Sequence, residues 1–393
     1  MAPWPSDDGH STLLVIAGGN FVQFGVRLLL GAVVPLVLVS FGASKSSVGL
    51  ALTGMWAVYA LVQFPSGILA DRFGERLLLL AGLGGTALGG VLVASAPSIL
   101  LFGTFVVVLG AGTGLFFSPA SSLISRLYEK RGGALGALTA SGAIAGVVYP
   151  TMGGLVATRF GWRLAVALGT LLTLPVFLAT LKLVPARQPA NPNRELRAFV
   201  DPERIVGTLA RPRIAYTTLL AVTLGFSFQA ITSFFPTFLV EYRHVDPGAA
   251  GVGFGVIFGL SSLAQPVAGR VSDRVSRDFA IGASALLAGT GVAVLLSVGG
   301  RPGLVAGAAL LGVGISWPGT VQARFMDQLG DEERGYSFGL ARTVYVFLGA
   351  AGSAVVGGLA DSYGWLAGYG LVVGLFATAL LLLGVNRALS LDL

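Results

Sequence analysis

The chain has 393 residues, of which 54% are hydrophobic and only 11% charged, and its mean hydropathy is +0.82; soluble domains carry about 25% charged residues, so water is excluded as the main solvent. Cysteine is absent, which excludes a disulfide framework and a thiolate metal site. A net charge of +7 would suit a nucleic-acid binder, but the basic residues are scattered among short connections and form no single patch.

A bilayer core about 30 Å thick takes ~20 apolar residues per helical crossing. Apolar runs bounded by charge, proline or glycine clusters predict spans 1 to 6 over 12–38, 46–69, 77–96, 98–124, 133–156 and 162–184. Spans 7 to 12 follow over 214–240, 249–269, 279–298, 303–323, 335–359 and 364–385. The opening residues carry Asp7 and Asp8 and no Lys or Arg, the wrong charge for a cleaved signal, so span 1 is expected to be a retained helix. The long polar stretch 185–213 reads as a linker between two six-helix bundles, 1–184 and 214–393, with an interfacial helix over 195–204. With the N-terminus inside, the inner loops and tail hold 18 Lys or Arg; the outer side holds five: Lys45, Arg159, Arg163, Arg243 and Arg301. That asymmetry places both termini in the cytoplasm. The expected fold is an all-α membrane protein of twelve transmembrane helices in a cell membrane.

The halves repeat each other. Gln63, Gly67, Asp71 and Arg72 recur as Gln265, Gly269, Asp273 and Arg274 at an offset of 202 residues. Gly161-Trp162 recurs as Gly364-Trp365, and Gly136 and Gly146 as Gly339 and Gly349, at an offset of 203. A nearly constant offset points to duplication of a six-helix unit.

The stretch from Gly67 through Asp71, Arg72 and Gly74 to Glu75-Arg76 resembles the signature of the major facilitator superfamily between its second and third spans, with Glu75 where a basic residue is usual. The resemblance covers the whole chain and implies that family's fold, a monomer, and alternating access by rocking of the halves. It also implies a conformational gate. Gly67, Asp71, Arg72 and Arg76 would hold span 2 against span 11, and Gly269, Asp273, Arg274 and Arg277 would do the mirrored work against span 5. Physically, Gly67 permits close helix approach, Asp71 suits a helix N-terminus, and the arginines anchor the loop. In span 5, Gly142 to Gly154 resembles the family's glycine-proline antiporter motif, with Tyr149 where glycine usually precedes Pro150; ordinary packing accounts for the same spacing. Gly251, Gly255 and Gly259 predict a close-packing seam on span 8.

Arg27 lies about fifteen residues into span 1, ~22 Å along it at 1.5 Å per residue, near the bilayer midplane. A charge there costs at least ~2.5 kcal/mol and is retained mostly where it faces a cavity or a partner. Asn20, Gln23 and Arg27 make one polar stripe on an otherwise apolar helix. The neighbourhood resembles the monocarboxylate and oxalate porter branch, which implies that Arg27 meets an organic anion, although Gln265 stands where that branch has a span 8 arginine. The alternative for Arg27 is a structural charge capped by backbone carbonyls or snorkelling outward. Arg342, with Tyr345 on the same face of span 11, either completes a two-cation site or snorkels to the cytoplasmic surface. Further cavity candidates are Tyr59, Gln63, Tyr149, Gln229, Gln265 and Trp317.

All 18 acidic residues fall in loops or at helix ends, as do His10 and His244, so no span centre offers a proton-carrying group. Thr104 stands about where drug-proton antiporters carry a span 4 arginine. The sequence therefore predicts a transporter for a small, anionic substrate, working by uniport, anion exchange or carriage of the acid, with no cofactor. A drug or metabolite exporter of the same fold is the alternative. A membrane enzyme or light receptor is disfavoured, because Lys45, Lys130 and Lys182 sit at helix ends, away from any Schiff-base position.

Overall fold

A computed structural model describes residues 6–128, 131–189, 191–192, 202–330, 333–391 and 393. It is helical throughout, and among the described residues twelve helices are long and apolar enough to cross a bilayer, from His10–Phe41 to Trp365–Ala388. The protein is thus a multi-pass membrane protein. Most of the expected interfacial helix lies outside the described residues; the linker's described helix is Pro202–Leu209.

Local chemistry explains several boundaries. Gly161 and Gly364 have φ of 88° and 80°, a region costly for residues with a Cβ, and each starts a helix whose first residue is a buried tryptophan, Trp162 or Trp365. The repeated Gly-Trp pair is a turn followed by an anchor. Spans 4 and 10, expected as single helices, each break at the same place in the repeat. Span 4 consists of Ile99–Gly114 and Phe117–Leu127, and span 10 of Gly300–Gly314 and Pro318–Gln328. A proline near the start of the second segment, Pro119 or Pro318, cannot donate to the preceding turn. Span 6 also breaks, at Leu172, with Pro175 as the third residue of its second segment, the position that Pro119 holds in span 4.

In the most apolar stretch of each span, 72% of span 1 and 67% of span 7 are buried inside the protein, against 28% of span 6 and 33% of span 12. Spans 1 and 7 are therefore central, and spans 6 and 12 face lipid. The halves meet along span 2 against span 11 and span 5 against span 8. The glycine seam expected on span 8 is present: a Cβ on Gly251 would stand 2.8 Å from the Gly154 Cα, and one on Gly255 2.2 Å from the Thr151 hydroxyl oxygen.

Candidate functional site

A cavity of about 820 Å³ opens between the halves on the face that carries loops 2/3, 4/5 and 10/11, lined by spans 2, 4, 5, 10 and 11. Gln63 and Arg342 line it. Behind Gln63, whose Nε2 donates to the Tyr59 hydroxyl at 2.8 Å, lies Arg27, only 6% exposed. Its guanidinium sits 4.0 Å from the Tyr59 ring centroid, 4.8 Å from Trp56 and 5.4 Å from Phe24, and its Nε donates to the Gln23 carbonyl at 3.1 Å. Among the described residues no carboxylate pairs with it. Arg342 stacks 5.0 Å over Phe117 from the opposite half.

The remaining candidates fall in different surroundings. Gln23 belongs to the Arg27 cluster: its Oε1 accepts from Thr86 at 2.6 Å, while its buried Nε2 has no partner. Tyr345 packs parallel to Phe325, beside Arg342. Asn20 and Tyr149 have structural bonds, Asn20 donating to the Leu138 carbonyl at 2.8 Å and to Ser141 at 3.2 Å, and Tyr149 to the Gly169 carbonyl at 3.1 Å. Across the centre, Trp317 packs edge-on against Phe228, Phe228 against Phe258 and Phe258 against Phe24, a continuous aromatic wall ending beneath Arg27. The Trp317 indole N–H is buried without a partner. Gln229 accepts from Thr232 at 3.2 Å, and Gln265 is half-buried, its side chain without a hydrogen bond among the described residues.

Two of the gate arginines, Arg76 and Arg277, bond inside their own halves at this open face. Arg76 donates to the Leu181 carbonyl, and Arg277 binds Asp273, Ser272 at 3.0 Å and Asp327 at 2.8 Å. A Cβ on Gly67 would stand 3.5 Å from the Ser118 Cβ, ordinary van der Waals contact, and one on Gly269 would meet nothing within 4 Å. Asp71 lies at the cavity wall, Arg72 stacks 5.4 Å over Phe73, and Arg274 is exposed. Glu75, where the signature has a basic residue, is 1% exposed and accepts from Arg126 at 2.5 Å. Its repeat partner Asp278 pairs in the same way with the buried Arg324. The acid thus serves an internal ion pair that both halves share.

The opposite face is closed by residues that the sequence reading missed. Lys45 Nζ lies 3.1 Å from Glu241 and 3.5 Å from Asp361, and stands 5.7 Å over Trp365, whose Nε1–H donates to Glu241 at 3.0 Å. Asp361 also accepts from the Lys45 and Ser46 amides at 3.1 and 2.7 Å and from the Ser46 hydroxyl at 2.8 Å. An acid of span 11 thereby caps the start of span 2. The only advance signal was a cluster of charges at helix ends, which is ordinary for loops.

The sequence model of the Major Facilitator Superfamily matches residues 16–262 and 217–390, and the chain belongs to that superfamily. A nitrite extrusion protein of Bacillus subtilis is 24% identical over 268 residues, 67% of this chain and 64% of that protein. The probable sulfoacetate transporter SauU of Cupriavidus necator is 24% identical over 282 residues, 68% of this chain and 65% of its own. Multidrug resistance protein MdtG of Escherichia fergusonii is 26% identical over 295 residues, 71% of each. The chain therefore spans under two thirds of the first two of these relatives. Among solved structures, a point mutant of the nucleoside transporter NupG superposes with a TM-score of 0.80 at 14% identity, over 95% of this chain and 98% of that one. A bacterial homologue of the lysosomal transporter Spinster, inward-facing and unoccupied, gives 0.74 at 17% identity, over 98% and 96%. Both likenesses are of fold.

Proposed function

We propose that this protein moves a small organic anion across a cell membrane by alternating access, as a monomer with both termini in the cytoplasm. The observation that carries the reading is Arg27: a guanidinium buried between the halves, boxed by aromatic faces and matched by no carboxylate. Each cation–π contact contributes about 0.5–2 kcal/mol, so the three rings offset much of the ~2.5–3.5 kcal/mol cost of a charge at the bilayer centre, but they bring no counter-charge. An arriving anion supplies the missing counter-charge, with the unpartnered Gln23 amide as a further donor. The cavity face is then the cytoplasmic one, and the Lys45–Glu241–Asp361 cluster is the outer lock, which opens when the inner loops close.

In this reading the site needs no intramembrane carboxylate for a coupled proton; the ion carried is the substrate itself, alone or in exchange. Thermal stability of the detergent-solubilised protein against small carboxylates, phosphates and lipophilic cations tests the reading. Carboxylates are expected to stabilise the wild type and to lose that effect in Arg27→Ala. Equal stabilisation of both by lipophilic cations refutes it. The aromatic wall from Phe24 to Trp317 favours a second reading, export of an apolar drug or metabolite, which that same result would support.

A further inference from the structure

The break in span 4 has a chemical consequence. The helix that follows it, Phe117–Leu127, carries Ser118, Ser121, Ser122 and Ser125 on one face, and all four line the cavity. Hydroxyls in apolar helices commonly donate to the carbonyl one turn back. Thr104, Thr139, Ser262 and Thr343 do so in this protein, at 2.7–3.0 Å. Among the described residues none of the four cavity serines makes such a bond, or any other side-chain hydrogen bond, so four hydroxyls stand open to whatever fills the cavity.

Two further lining groups complete the set. Arg342 stacks over Phe117, the first residue of the serine helix, and among the described residues no carboxylate pairs with it. Gln63 is 6% exposed and commits its Nε2 to Tyr59, which leaves its Oε1 as a free acceptor. Asp71 lines the same cavity and is already engaged. A guanidinium takes a carboxylate, an amide oxygen takes a hydroxyl proton, and serine hydroxyls rotate to donate or accept. That combination suits an anion which also carries hydroxyl groups.

We propose that Ser118, Ser121, Ser122 and Ser125, with Arg342 and the Gln63 amide, form a cavity-side subsite that selects hydroxylated carboxylates over their deoxy counterparts on the path to Arg27. The proposal rests on the anion reading above. It adds a substrate class and a second place where the substrate is held.

Matched pairs of anions test it: D-glycerate against propionate, and malate against succinate, with affinity read from thermal stabilisation of the purified full-length protein. The wild type is expected to bind the hydroxylated member of each pair about fivefold tighter, the worth of one net hydrogen bond. Alanine at all four serine positions is expected to abolish the preference while leaving propionate and succinate affinity within about twofold, since alanine favours the helix. Retained affinity for the deoxy anions shows that the variant is folded. Equal affinities within the wild-type pairs, no binding of any of the four anions, or a preference that survives the alanine variant overturns the subsite. Arg27→Ala separates the two ideas. It is expected to weaken all four anions alike, and if it leaves them unchanged, the anion reading itself fails.

Discussion

Lys45→Ala opens the lock at the closed face. Lys45 forms two ion pairs between the halves, to Glu241 and Asp361, and stacks on Trp365; its side chain is 20% exposed and those of its acidic partners 38% and 25%. At that exposure each pair contributes about 0.2–1 kcal/mol and the ring contact about 0.5–1 kcal/mol. Their loss removes about 1–3 kcal/mol that exists only while this face is shut, which multiplies the population of the opposite state roughly 5- to 150-fold. The natural absence of cysteine makes the assay simple. Ser353 is fully buried on the closed side, bonded to Ser233 at 2.6 Å, so Ser353→Cys reports opening through its rate of labelling by a membrane-impermeant maleimide. Labelling from the lock side is expected to accelerate by that factor in Lys45→Ala and to stay near the wild-type rate in Lys45→Arg. An unchanged rate in Lys45→Ala refutes the cluster as a lock.

Arg27→Lys keeps the charge but loses the planar stacking on Tyr59 and Trp56, so transport is expected to fall at least tenfold and not to vanish; wild-type uptake in proteoliposomes would count against a stacked, oriented guanidinium. Glu75→Ala leaves Arg126 without its charged partner and is expected to cost about 1–3 kcal/mol, seen as a lower melting temperature in detergent, whereas an unchanged melt would make the pair ornamental. Gly251→Leu drives a side chain into the Gly154 backbone 2.8 Å from its Cβ and is expected to destabilise by at least about 1–3 kcal/mol, read as loss of the monodisperse peak on size-exclusion chromatography. A wild-type profile would mean that span 8 can withdraw from span 5 at no cost.

Much of the fold was legible from local chemistry. The apolar runs are long because the bilayer sets their length, so all twelve spans could be counted from composition, with ends uncertain by a few residues. The 202–203 residue offset revealed the duplication, and the Gly251–Gly255 seam followed from spacing alone. The breaks in spans 4, 6 and 10 were not foreseen, because an apolar run reads the same whether its helix is straight or bent.

The site was legible in part. Arg27 stood out because a midplane charge is costly wherever it points, and Gln23 shared its helical face. Which residues surround it was a different kind of fact. Asn20 and Tyr149 have the same polarity as Gln63 and Tyr59, yet they bond to backbone in neighbouring spans, while Gln63 and Tyr59 link Arg27 to the cavity. Helical periodicity gives the face on which a side chain lies, but not the neighbour that face meets. The lock makes the same point more strongly. Lys45 and Asp361 are separated by more than three hundred residues, and each alone is an ordinary charged helix end. The sequence by itself determined the number of spans, the duplication and the costly charge, because those follow from the solvent and from local spacing. Only the tertiary structure decided which charges meet, which face is open and which hydroxyls line the cavity, because those depend on how two packed halves happen to be tilted against each other.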